Sequence, residues 1–178
     1  MIMFEKLKYK LAVRIIKNKY IKTAGKPQAF NNFTKNSLSY LVIIPDNDED
    51  FKNSQTVLKY LLEQKKSVTL FISEHRYSVI PEREKYRVLS FSLQQVTKLR
   101  LPDQILRDKL MKKDFDVILN LNRQDDVFYD AAAFMVNSSF RVGFKNGEIS
   151  EFLSLQIPQN EKNSKISYEN LLNSLKMF

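Results

Sequence analysis

The stretch Leu41–Gln64, LVIIPDNDEDFKNSQTVLKYLLEQ, decides the fold. Together with the preceding tyrosine, Tyr40–Ile44 is an unbroken apolar run, the pattern of a strand buried on both faces of a parallel sheet. From Phe51 to Gln64 the spacing becomes helical, with Val57, Leu58, Leu61 and Leu62 on the side that would face that sheet. Between the two, Asp46–Asp50 holds four carboxylates and Asn47. The turn after a first strand is where α/β proteins commonly seat ligands, and it is commonly rich in glycine. This turn contains none.

Outward from that unit the pattern repeats. SVTLFI (Ser67–Ile72) predicts a second strand and YRVLSF (Tyr86–Phe91) a third. Pro102 and Asp103 open a short helix that reaches Leu110. FDVILNL (Phe115–Leu121) predicts a strand, Asp125–Val136 a helix with the small run Ala131–Ala133, and FRVGF (Phe140–Phe144) another strand. SYENLLNSLKMF (Ser167–Phe178) predicts a closing amphipathic helix, and His75, in SEHRYS, falls in a loop beyond the second strand. Alternating strands and helices predict an α/β fold: a single Rossmann-like, doubly wound, mainly parallel sheet.

Ahead of this domain, residues 3–22 lack Gly and Pro and predict a helix. Phe4, Leu7, Leu11 and Ile15 share one side, Tyr9, Val13, Ile16 and Tyr20 another, and Lys6, Lys10, Arg14 and Lys17 form a basic stripe. Thr23–Ser37, with Gly25 and Pro27, reads as a linker. The expected division is a basic helical extension over 1–38 and a Rossmann-like half-domain over 39–178.

Of the 178 residues 43% are hydrophobic, enough for a core, and none is cysteine. That excludes disulfides, thiolate nucleophiles and cysteine-based zinc sites, and suits a cytoplasmic protein. No apolar run approaches the roughly 18 residues that span a bilayer, so no transmembrane segment is expected. The net charge of +9 is concentrated at one end. Residues 1–39 carry nine basic residues against Glu5 alone, whereas the remainder carries 20 basic and 19 acidic ones. Such asymmetry points to an anionic partner for Lys6, Lys10, Arg14, Lys17, Lys19, Lys22 and Lys26. RNA or a ribonucleoprotein such as the ribosome is the favoured partner, with a protein partner also compatible. A membrane surface fits less well, because it needs one broad apolar face and this helix has two separated ones.

The motif order resembles that of the heptosyltransferase-type glycosyltransferases, which build the lipopolysaccharide inner core. DFDVILNLNRQDDVFYDAAAFMVNSSFRVGF (Asp114–Phe144) is similar to their segment in which a strand of the type YDLVIDL precedes an alanine-rich helix and a strand ending RIGF. YLVIIPDNDED lies over their first strand and its Gly-Asp loop, with Glu49 at the glycine and Asp50 at the aspartate. The closing SYENLLNSLKMF resembles the end of their N-terminal half. The resemblance covers residues 40–178 and one half of a two-domain (GT-B) fold. No counterpart of that family's donor nucleotide-sugar domain is expected within residues 1–178. The resemblance implies that Asp50 stands where that family keeps a general base. The layout also resembles a small uncharacterised bacterial family with a basic N-terminal helix and one such domain.

Asp46, Asp48 and Asp50 fail as a calcium loop, since Phe51 and Val57 occupy the positions of the required Gly and Glu. As a phosphate cradle the run lacks glycine and has the wrong charge. Carboxylates at a helix start that favour the macrodipole and cap free N–H groups are the preferred reading. His75 is the only histidine, which gives a metal cluster or a catalytic triad little support. Asn120, Asn122, Arg123, Asp125 and Asp126 follow a strand at the sheet edge where ligands bind, so with Asp46 and Asp48 they form a candidate cleft. Capping by Asp125 would explain part of that cluster. Gly143 reads as close packing or a turn, and Gly147 as turn chemistry. No metal and no cofactor are expected. The function expected is a non-catalytic interaction module docking through its basic helix. The alternative is the acceptor-binding half of a glycosyltransferase completed by a partner chain.

Overall fold

The computed structural model describes residues 2–21, 32–160 and 162–178. Six strands form one sheet: β1 (Ser39–Ile43), β2 (Ser67–Ser73), β3 (Arg87–Phe91), β4 (Asp114–Asn120), β5 (Asn137–Phe144) and β6 (Leu155–Ile157). The order across the sheet is β3-β2-β1-β4-β5-β6, and every neighbouring pair is parallel. This is the Rossmann-like, doubly wound arrangement, and the order reverses between β1 and β4. The helices are α1 (Ile2–Lys19), α2 (Phe33–Asn36), α3 (Asp48–Glu63), α4 (Glu74–Tyr77), α5 (Gln104–Met111), α6 (Val127–Met135) and α7 (Ser164–Met177).

Successive residues of the central strands face opposite sides, so each strand feeds two cores. Leu41, Ile43, Phe71 and Ile118 meet α1, α5 and α6 on one face, through Ala12, Val13, Ile16, Leu106, Leu110 and Ala131–Ala133. Tyr40, Val42, Ile44, Leu70 and Leu119 meet α3 and α7 on the other, through Val57, Leu58, Leu61, Leu171 and Leu175. Leu62, expected among the sheet-facing residues, is only half-buried.

The chain enters β1 under tight control. Asp116 on the adjacent β4 accepts from Leu38 N (2.8 Å), Ser39 N (2.9 Å) and Ser39 Oγ (3.0 Å). Those donors hold its carboxyl below the usual aspartate range. At its other end α3 stops in a Schellman motif. Lys66 N reaches Leu61 O and Lys65 N reaches Leu62 O, with Lys65 in the left-handed region at φ 55°.

Three elements were not anticipated. β6 has three residues and α2 and α4 have four each, too few for a hydrophobic period to register. α2, with Phe33 and Thr34 buried, falls within the stretch read as a linker, of which residues 23–31 lie outside the described residues. The helix after β1 starts three residues earlier than predicted, so Asp48, Glu49 and Asp50 form its first turn. Among the described residues no helix is long and apolar enough to cross a membrane.

Candidate functional site

At the carboxyl edge of the sheet, the chain leaving β1 turns toward α3 on one face and the chain leaving β4 turns toward α6 on the other. The crevice between them is the ligand position of open α/β sheets. Here it is crossed by two side-chain bridges running in opposite directions.

The first bridge starts from Asp46. Its Oδ2 accepts from the Tyr129 hydroxyl of α6 at 2.6 Å, and its Oδ1 from Ser73 Oγ at 3.3 Å. Burial and the Asp46 carboxylate both raise the Tyr129 phenol far above its ordinary value, so it stays a donor. Arg76 on α4 donates to the Asp46 carbonyl, pairs with Asp48 Oδ1 at 2.7 Å, and stacks on the Phe51 ring. Asp48 itself is exposed. The cap of α3 is Asn47, whose side chain accepts from Asp50 N at 3.0 Å. The carboxylates of Asp48, Glu49 and Asp50 occupy the first turn, where the macrodipole favours them.

The second bridge starts from Asp50, whose side chain is 5% exposed. Its Oδ1 accepts from Ser164 Oγ at 2.6 Å and lies 3.1 Å from Arg123 Nε, close enough for an ion pair though off the hydrogen-bond axis. Arg123 Nη1 donates to Asn160 O at 3.1 Å and Ser167 Oγ at 3.4 Å. Asn53 Nδ2 donates to Ser164 Oγ. Asp50 therefore ties the start of α3 to the start of α7, with Arg123 from the β4 loop between them.

The β4 loop is also internally bonded. Asn120 Oδ1 accepts from Asn122 N and Nδ2, and Asn120 Nδ2 donates to Asp130 Oδ1 at 3.1 Å. Asp130 is buried, and the other oxygen of its carboxyl has no partner. Burial, reinforced by Asp125 and Asp126, pushes its pKa up to about 8. Asp126, not Asp125, caps α6 by accepting from Phe128 N. Asp125 accepts instead from the Tyr9 hydroxyl of α1 at 2.7 Å. Its carboxylate also lies against Gly147, where an added Cβ would sit 2.3 Å from Asp125 Cγ. Gly143 has the close-packing role, its Cα facing the Asn120 carbonyl and Leu153. Arg141, the arginine of the RVGF motif, donates to the carbonyls of Ala133, Val136 and Ser138, which satisfies the end of α6. His75 is exposed, at the short α4. Among the described residues no group of three His, Cys, Asp or Glu is placed to hold a metal ion.

The basic helix divides differently from its sequence pattern. Tyr9, Ala12, Val13, Ile16 and Tyr20 pack into the core beside α6, so α1 shares the core of the sheet domain. Phe4, Leu7 and Leu11, on the second apolar side, are exposed, and so is Met3. Lys6, Lys10, Arg14 and Lys19 are exposed, and among the described residues none of them pairs with an acid. Lys17 is different: Glu148 (3.2 Å) and Glu151 (3.1 Å) engage it, and both raise its pKa. Lys22 and Lys26 lie outside the described residues.

Sequence reasoning missed Tyr129, Arg76 and Ser164 as bridge partners. Each is far in sequence from the aspartate it holds, and no local spacing signals it.

A comparison with protein-family models matches residues 8–178 to a family of unknown function, DUF6913. The chain belongs to this family. No curated protein and no solved structure matches it, so the likeness of this DUF6913 chain to heptosyltransferases rests on its motifs alone.

Proposed function

We propose that the chain is a non-catalytic interaction module that docks through α1 to an anionic partner. The observation that carries this reading is the state of α1. One side is fixed in the core, while Lys6, Lys10 and Arg14 stand exposed along an adjacent side, and among the described residues none of the three is ion-paired, Glu148 nearby being engaged by Lys17. A docked helix presents its charges from a rigid platform, so less conformational freedom is lost on binding than from a free tail.

The switch point supports the same reading. Asp46 and Asp50 bind the two sides of the crevice together. A general base needs an oxygen within hydrogen-bond reach of the acceptor proton. Asp50 is buried and turned toward Ser164 and Arg123, an arrangement suited to holding helices together.

Charge alone suits RNA, a ribonucleoprotein or an anionic lipid surface. The test is heparin chromatography of the full chain and of its Lys6→Gln/Lys10→Gln/Arg14→Gln variant along a salt gradient. The variant should elute at markedly lower salt, since each neutralised contact reduces counterion release. Co-elution of the two proteins would refute docking through α1.

A further inference from the structure

Resting on that docking reading, we propose that the partner is an anionic lipid surface, which α1 enters with the ridge Met3, Phe4, Leu7 and Leu11. The fold consumes one side of α1 and leaves the opposite side bare. At 100° per residue, the docked residues Tyr9, Ala12, Val13 and Ile16 centre about 160° around the axis from Phe4, Leu7 and Leu11. The ridge therefore points almost directly away from the body. Its side chains are open to solvent: Met3 is 85% exposed, Phe4 63%, Leu7 64% and Leu11 46%.

The charges lie on both flanks of this ridge. Lys6, Lys10 and Arg14 run along one side, and Lys8 and Lys19 lie on the other. Lys8 extends across the Phe4 ring, with Nζ 4.6 Å from its centroid, while pairing with Glu5 at 2.8 Å. An apolar crest flanked by the unpaired Lys6, Lys10 and Arg14 on one side, and by Lys8 with its partner Glu5 and by Lys19 on the other, is the arrangement of a helix lying in a membrane interface. The crest enters the acyl boundary, and the cations meet headgroup phosphates while their stems lie along the apolar surface.

The sequence objection to a membrane was that α1 has two separated apolar sides. In the folded chain one of them is core, so the surface shows a single apolar side with basic borders. RNA would satisfy the cations but would leave Met3, Leu7 and Leu11 without a partner, since bases stack on rings and not on aliphatic chains. A protein groove would need an apolar floor with acid on both rims and a matched shape. A lipid leaflet containing anionic headgroups offers all of this without shape matching.

The experiment is flotation of the full chain with vesicles of phosphatidylcholine alone or mixed equally with phosphatidylglycerol. Two variants are compared, Phe4→Ser/Leu7→Ser/Leu11→Ser and Lys6→Gln/Lys10→Gln/Arg14→Gln, each checked by thermal melting. The substituted ridge side chains lie on the surface, so both variants should melt as the parent does. Binding to the mixed vesicles is expected, with little to phosphatidylcholine alone and at least a tenfold loss in either variant. Binding of the ridge variant at parental strength overturns the proposal. So does retention by bulk RNA, unchanged in the ridge variant, with no vesicle binding. So does a dimer that the ridge variant abolishes while vesicles bind neither form. In each of these cases salt-dependent heparin retention would leave the docking reading standing, whereas charge-independent elution would remove that reading itself.

Discussion

At the scale of single residues, the acid run after β1 resolves into separate tasks. Asn47 caps α3, Asp46 reaches Tyr129, Asp48 meets Arg76 at the surface, and Asp50 is buried against Arg123 and Ser164. Removing the charge of Asp50 would leave the Arg123 guanidinium, 13% exposed, without its counter-ion. Asp50→Asn should therefore lower unfolding stability by about 3 kcal/mol, read by urea denaturation. Ser164→Ala should cost about 1 kcal/mol. Asp130 behaves in the opposite sense. Its folded pKa of about 8 lies far above the ordinary aspartate value, so the folded state binds a proton that the unfolded state releases. Its contribution to stability is full below pH 4 and is lost as pH rises toward 8. Asp130→Asn keeps an acceptor for Asn120 without the need to hold a proton. It should raise stability at pH 8 by on the order of 2 kcal/mol and flatten the decline between pH 4 and 8. A variant whose stability falls in parallel with the parent across that range would show that another group sets the slope.

At the scale of elements, the sequence and the structure agree where long patterns speak and differ where contacts across the fold decide. The apolar run at Tyr40–Ile44 and the helical spacing of Val57, Leu58 and Leu61 were legible, because burial on a parallel sheet imposes both. The capping residue of α6 is Asp126, one position beyond the Asp125 that the sequence suggests. Asp125 and Asp126 are adjacent, and only the docking of α1 shows that Tyr9 takes Asp125 and leaves the cap to Asp126. For the same reason the reading of Gly147 as turn chemistry was incomplete, since the glycine also makes room for the Asp125 carboxylate. Gly147→Ala should push that carboxylate aside and break its bond to Tyr9. A loss of roughly 1–2 kcal/mol is expected, with faster amide exchange along α1 than in α3. Tyr9→Phe should accelerate α1 exchange in the same way. Uniform acceleration through α1 and α3 alike would mean that Gly147 supports the whole fold and not this contact.

At the scale of the whole molecule, the sequence showed the split between a basic N-terminal segment and a nearly neutral remainder. It could not show which apolar side of α1 the sheet domain would take, because both sides have helical spacing and similar residues. The fold settles that choice by placing Ala12, Val13 and Ile16 against α6, and in doing so sets the ridge and its basic flanks outward. The most direct measurement uses the absence of cysteine from the chain. Leu7→Cys gives one thiol on the ridge, and Ile105→Cys gives one on the exposed side of α5, each able to carry a polarity-sensitive fluorophore. With vesicles containing phosphatidylglycerol, the label at Leu7→Cys should shift to the blue and the label at Ile105→Cys should not. An unshifted label at Leu7→Cys, or equal shifts at both positions, would contradict entry of the α1 ridge into a lipid surface.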